Sequence, residues 1–151
     1  MSRAQSIAGV LLARLATITQ ANGYATNAGL HVFDGATGVP GDLGAFLVLA
    51  ELEEGVASQK AGDGQADDVT VSQPYTVEGR TACDPLHPNT AGRLLVSDIQ
   101  RAIFGAGSKL PAQSARLLYT GRTISPRDPG AAEVVVTVTL QAAFAYSLGN
   151  P

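Results

Sequence analysis

Glu133-Val-Val-Val-Thr-Val-Thr-Leu-Gln-Ala-Ala-Phe-Ala-Tyr146 decides the fold class of this chain. Val134, Val136, Val138, Leu140, Ala142, Phe144 and Tyr146 fall on one side of an extended strand, and Val135, Thr137, Thr139 and Gln141 on the other. Successive strand side chains point to opposite faces, so this pattern predicts a sheet with one buried and one polar face. The run is more than twice the mean strand length of about 5–6 residues.

Working outward, Pro126–Gly130 reads as a turn, and Ala115–Ile124 holds a short strand, Arg116-Leu117-Leu118-Tyr119. Gly105–Ser114 reads as a loop. Before it, apolar residues Ala91, Leu94, Leu95, Ile99, Ala102 and Ile103 recur at helical spacing. That helix is expected to start from Asn89 or Thr90 as N-cap and to stop at Phe104, with Gly105 as the residue after the cap. Cys83-Asp-Pro-Leu-His-Pro88 forms an extended linker into it. Further upstream, Val69, Val71, Tyr75 and Val77 alternate with polar residues, and Pro74 predicts an edge position or a bulge. Ala45–Leu52 is apolar enough for a strand buried on both faces. The two make a hairpin over about 45–78, and the polar segment Gly55–Asp68, turning at Gly62-Asp63-Gly64, is expected to be poorly ordered. Leu30–Phe33 is a further strand, and the glycines and prolines of Asp34–Gly44 mark a loop. Ser2 to Gln20 reads as an amphipathic helix with Ser2 or Ser6 as cap, a stripe of Ile7, Val10, Leu11, Leu15 and Ile18, and a stop at Asn22-Gly23. Arg14 interrupts its apolar run, which favours a folded helix over a targeting segment and synthesis inside the cell. The expected architecture is one α+β domain spanning 1–151. It is a two-layer sandwich of a mostly antiparallel or mixed sheet of 4–5 strands with two helices on one face.

Composition narrows the function. The 151 residues are 45% hydrophobic, 15% charged and carry a net charge of −3. That is too apolar for a disordered chain and lacks the surplus cations of a sequence-independent nucleic-acid binder. No apolar run reaches membrane-spanning length. One cysteine, Cys83, permits no internal disulfide. The charge is polarised along the chain. From Asp34 to Glu78 there are nine acidic residues against the single base Lys60, a balance of −8. From Gly79 to Arg127 there are seven bases against Asp84 and Asp98, a balance of +5. Two readings stay open: solvated faces, or complementary patches that steer assembly.

Catalytic and ligand-binding patterns find little support. Cys83, Asp84 and His87 supply one ligand pair where a structural zinc site needs about four ligands. The cysteine is better read as a small buried thiol. Asp63-Gly-Gln-Ala-Asp67-Asp68 lacks the alternating ligands of a calcium loop. Gly105-Ala-Gly-Ser-Lys109 follows a helix and has the wrong order for a phosphate loop. No nucleophile elbow is present. The chain is therefore expected to be no enzyme and to need no cofactor and no metal.

Three stretches carry a family likeness: Ala16-Thr-Ile-Thr-Gln-Ala-Asn-Gly-Tyr-Ala25, Cys83-Asp-Pro-Leu-His-Pro-Asn89 through Phe104-Gly105, and Gly121-Arg-Thr-Ile-Ser-Pro-Arg127 leading into the valine-rich strand. In this order the chain resembles the tail terminator (tail completion, minor tail U-like) proteins of tailed bacteriophages. The resemblance implies a structural virion protein at the head–tail junction. It implies a hexameric ring on the tail tube that stops tube polymerisation and joins the tail to the head. Partners would be further copies of the chain, the tail tube protein and a head-completion or connector protein. DNA would pass through the lumen without sequence-specific binding, and no membrane is involved. The family has no catalytic residues to carry over. Glu53, Glu54, Asp63, Asp67 and Asp68 on one side, and Arg93, Arg101, Arg116 and Arg122 on the other, are the candidate subunit-interface residues. The acidic stretch could instead line the lumen. Alternatives are a head-closure or connector protein, or a small non-viral binding or hydrolytic domain.

Overall fold

The computed structural model describes residues 1–35, 43–125 and 129–151. Most of the Asp34–Gly44 loop, the Pro126–Gly130 turn, and Asp42 and Arg127 from the charge balance lie outside those residues.

The long alternating run forms β7 (Glu133–Ser147), with Val134 through Phe144 buried at every second position. At about 3.4 Å per residue it spans about 50 Å. It pairs antiparallel with β4 (Asp68–Ala82) from end to end, and with β6 (Ala115–Ile124) on its other side. The remaining strands are β1 (Val32–Asp34), β2 (Phe46–Glu51), β3 (Gly55–Lys60) and β5 (Lys109–Leu110). They complete a seven-stranded sheet ordered β1-β2-β4-β7-β6-β5, with β3 beside β4. Only β1 and β2 are parallel among the described pairs, so the sheet is mixed but mostly antiparallel. The α+β sandwich is as expected. The sheet is wider by β3 and β5, which carry no hydrophobic alternation to betray them.

Two helices complete the core. In α2 (Pro88–Phe104) the buried stripe is Gly92, Leu95, Val96, Ile99, Ala102 and Ile103, which lies over β7 and β4. Gly79 on β4 faces this helix. A Cβ there would come within 2.9 Å of Leu95 and 3.1 Å of Leu47, so glycine lets helix and sheet close up. Leu94, expected in the core, is about half exposed. The helix starts earlier than expected: His87 is the N-cap and Pro88 the first helical residue, where its missing N–H costs nothing. Gly105 is right-handed, and the left-handed glycine of the following loop is Gly107, with φ +96°.

The first helix, α1 (Arg3–Leu15), is shorter than Ser2–Gln20. The Ser2 side chain accepts from the Gln5 amide, confirming it as the cap. The β-branched run Thr17-Ile18-Thr19 then leaves the helix, and Ile18 remains fully buried outside it. Gly29 secures this corner: its amide donates to the Ile18 carbonyl at 2.8 Å. A Cβ at Gly29 would sit 2.5 Å from the Leu15 carbonyl oxygen. Residues of α1, α2 and the inner sheet face share one apolar core.

Three strand expectations are corrected. β2 is buried on one face only, because no layer covers Val48 and Ala50. On that open face, Phe46 is covered by Phe33, edge-on at 6.2 Å, and by the Arg80 guanidinium at 5.6 Å. Pro74 lies in a central strand with unbroken pairing to β7. The interruption falls instead in its other neighbour. β2 ends opposite Tyr75 and β3 begins opposite Ser72, so Leu52-Glu53-Glu54 break the ladder where Pro74 has no N–H to give. Finally, Gly55–Asp68 is no unstructured tip. β3 runs in register with β4, although all its residues are exposed.

Candidate assembly surface

The acidic candidates gather along one margin of the sheet. Glu53 and Glu54 lie in the break between β2 and β3, and Asp63, Asp67 and Asp68 surround the hairpin turn. Two buried-face residues hold the break. The Gln73 side-chain amide donates to the Leu52 carbonyl at 2.6 Å, in place of the donor that Pro74 lacks, and to the Pro74 carbonyl at 3.0 Å. The Tyr146 hydroxyl donates to Glu54 Oε1 at 3.0 Å. That bond, then burial, raises the Tyr146 pKa above the ordinary phenol value. The turn is braced by Asp67, which accepts from the Gln59 side chain at 2.7 Å and the Gly62 amide at 3.3 Å. Its carbonyl accepts from the Leu148 amide, tying the turn to the end of β7. The side chains of Glu53, Asp63 and Asp68 are exposed and make no hydrogen bond or ion pair within the described residues.

Of the basic candidates, two lie toward the other margin and two on the helix over the central strands. Arg116 and Arg122 are on β6, and Arg93 and Arg101 on α2, all exposed. Register separates the two strand arginines. Arg116 pairs with Ala143 on the open face, whereas Arg122, beyond the bulge at Thr120, pairs with Val138 on the helix face. Arg101 is committed within the chain. It donates to the Gly23 carbonyl at 2.9 Å and lies 3.8 Å above the Tyr24 ring. The structure brings the acidic candidates together around β3, spreads the basic ones between β6 and α2, and joins neither set to the other: the only ion pair among the described residues is Arg80 with Glu78, at 3.2 Å.

Residues set aside in the sequence have visible roles. Asp84 accepts from the Leu86 amide, and Cys83, half-buried, lines with His87 and Leu94 an open groove of about 550 Å³. Among the described residues no group of three or more His, Cys, Asp or Glu is placed to hold a metal. In the Gly105–Lys109 loop the Gly107 carbonyl, like that of Ile103 at the end of α2, accepts from Arg14 of α1. That polarity is opposite to an anion cradle. A second open groove, about 660 Å³, follows the small residues of α1, with Asp34 and Glu51 as its charged groups.

Two buried polar residues were missed, Asp98 and the Gln73 described above; Tyr75 falls on the apolar face as expected. Asp98 accepts from the Ala25 amide (3.1 Å), the Thr26 amide (2.9 Å) and the Thr26 hydroxyl (2.9 Å), clamping that loop to α2. Its place three residues after Leu95 and beside Ile99 was the available signal. Tyr75 is fully buried, and its hydroxyl has no partner among the described residues. Burial first, then the charges of Glu51, Asp34 and Glu54, hold its pKa far above the ordinary phenol range.

No family model matches the chain, and no curated protein matches it by sequence. A likeness exists among solved structures. A chain from the virion of a native gene transfer agent particle superposes with a TM-score of 0.53 at 18% identity, covering 92% of this chain and 97% of that one. The two share a fold over nearly their whole lengths.

Proposed function

We propose that this chain is a structural virion protein, a tail terminator that forms a ring at the top of a phage tail tube. The observation that carries the reading is the fold shared, nearly end to end, with a chain of a gene transfer agent virion. Support comes also from the sequence resemblance of Ala16–Ala25, Cys83–Gly105 and Gly121–Arg127 to tail terminators. The separation of acidic from basic residues fits a ring as well. A cyclic ring needs two different, mutually complementary patches on each subunit, whereas a two-fold dimer uses one patch twice. In the proposed assembly the acidic margin of one copy faces the basic margin of the next. The ring, hexameric by resemblance, caps the tube protein, meets a connector protein above and encloses passing DNA.

Removal of the gene from the phage that carries it tests this role. A terminator acts by halting polymerisation, so its loss yields tubes of uncontrolled length without heads. Tails of normal length that fail only to join heads would instead identify a head-closure or connector protein. Normal, infectious particles would refute both.

A further inference from the structure

The sheet ends in two unpaired edges, and their directions, charges and faces fit each other. β3 pairs with β4 on one side; no described strand pairs with its other side, and all its residues are exposed. At the opposite margin β5 covers only Ala115 and Arg116 of β6. The Leu117 amide is taken by the Ser108 carbonyl at 2.7 Å. From Leu118 to Ile124 no described strand lies beyond β6. Exposed edges are templates for pairing with another chain.

Between the two edges lie the strands β3-β4-β7-β6, each antiparallel to the next. An even number of alternating strands makes the outer two run in opposite directions. When a second copy is set beside the first in the same orientation, its β3 meets β6 antiparallel, the more stable arrangement. Charge selects this contact over the two-fold alternatives. β3 carries Lys60 and is flanked by Glu53, Glu54, Asp63, Asp67 and Asp68; the open stretch of β6 carries Arg122, with Arg116 and Lys109 at the end that β5 covers. A β3–β3 contact would bring the acidic flanks of two copies together and a β6–β6 contact would bring Arg122 near Arg122, whereas like charges placed opposite each other destabilise a sheet. Bulges at Ala57 and Thr120 shorten the regular edge on each strand, which limits pairing to a short segment.

We infer that subunits join by strand addition, β3 of one copy pairing antiparallel with Leu118–Ile124 of the next to continue one sheet through the assembly. The inference rests on the self-association in the proposed function and adds its atomic form. Ser58, Leu118 and Thr123 all pair with open-face positions, Ser58 with Thr70, Leu118 with Gln141 and Thr123 with Thr137. Cysteines at these sites therefore lie on the same face of such a junction, and the two β6 positions sample two registers against Ser58. In a Cys83→Ser background, Ser58→Cys combined with Leu118→Cys or with Thr123→Cys is oxidised at high protein concentration. At least one combination is expected to give a ladder of covalent oligomers, and the single variants nothing beyond dimers. Amides of Leu118–Ile124 are expected to exchange tenfold or more slowly in the assembled protein. Assembled rings in which neither combination cross-links and these amides stay fast would overturn strand addition and leave the ring intact. A chain that stays monomeric and cross-links in no combination would overturn both.

Discussion

At the scale of single residues, the buried polar groups divide into a clamp and an orphan. Asp98 satisfies three donors of the loop after Gly23. Asp98→Ala leaves them unmatched beneath Arg101 and Tyr24, and should cost about 3 kcal/mol in urea unfolding. Asn at this position keeps one acceptor oxygen and should cost less. Tyr75 is the converse. Its hydroxyl stays desolvated without a bond in return, so Tyr75→Phe is expected to raise stability by about 1 kcal/mol, or a Tm rise of about 2–4 °C at this size. The same residue shapes the alkaline limb. Its folded pKa is raised, so its contribution is complete below the unfolded pKa of about 10. It falls away as pH climbs above that value, because the unfolded chain ionises first. Between pH 10 and 11.5 the wild-type chain should therefore lose stability more steeply than the phenylalanine variant. Parallel slopes would contradict the assigned burial.

At the scale of elements, β7 was legible because its alternation holds from Val134 to Phe144 and both neighbours pair along it. Val136 is fully buried beneath α2, and Val136→Asp places an unpaired charge there. Loss of several kcal/mol, enough to unfold a domain of ordinary stability, is expected by circular dichroism melting. β3 was illegible for the opposite reason. Gly55-Val-Ala-Ser-Gln-Lys60 has no buried face, so no apolar period marks it, and its place follows from pairing with β4. The break before it was half legible. Pro74 announced an irregularity, but the missing N–H displaced the neighbouring strand because β7 holds β4 straight. Gln73 shares the odd-numbered face of Val69, Val71, Tyr75 and Val77, a signal obscured by its polarity. Gln73→Leu removes the side-chain bond to the Leu52 carbonyl in the break, together with the one to Pro74 beside it. It should speed hydrogen exchange at Leu52–Glu54 at least tenfold while leaving β7 protected; unchanged exchange there would show that Gln73 does not hold the break.

At the scale of the whole molecule, the charge polarity read along the chain separates an acidic region around β3 from arginines on β6 and α2, and the residues are not equivalent. Glu54 and Asp67 support the hairpin, and Arg101 supports the loop after Gly23, so reversing them perturbs the subunit as well as any contact. Glu53 and Arg122 have no such internal duty among the described residues, which makes Glu53→Arg and Arg122→Glu the clean pair. What the sequence alone left open, interface against lumen, depends on where neighbouring copies sit, and that information is spread over both margins rather than held in any motif. Exposed charges are screened over about 8 Å at physiological ionic strength, so association driven by them weakens as salt rises. Sedimentation velocity of the purified chain, run across a concentration series at low and high salt, tests head-to-tail assembly most directly. The account predicts a discrete closed oligomer at low salt, dissociation toward monomer at high salt, loss of the oligomer in Glu53→Arg, and partial recovery when Arg122→Glu is added in the same chain. A monomer at every concentration and ionic strength, or an oligomer indifferent to salt and to both reversals, would contradict it.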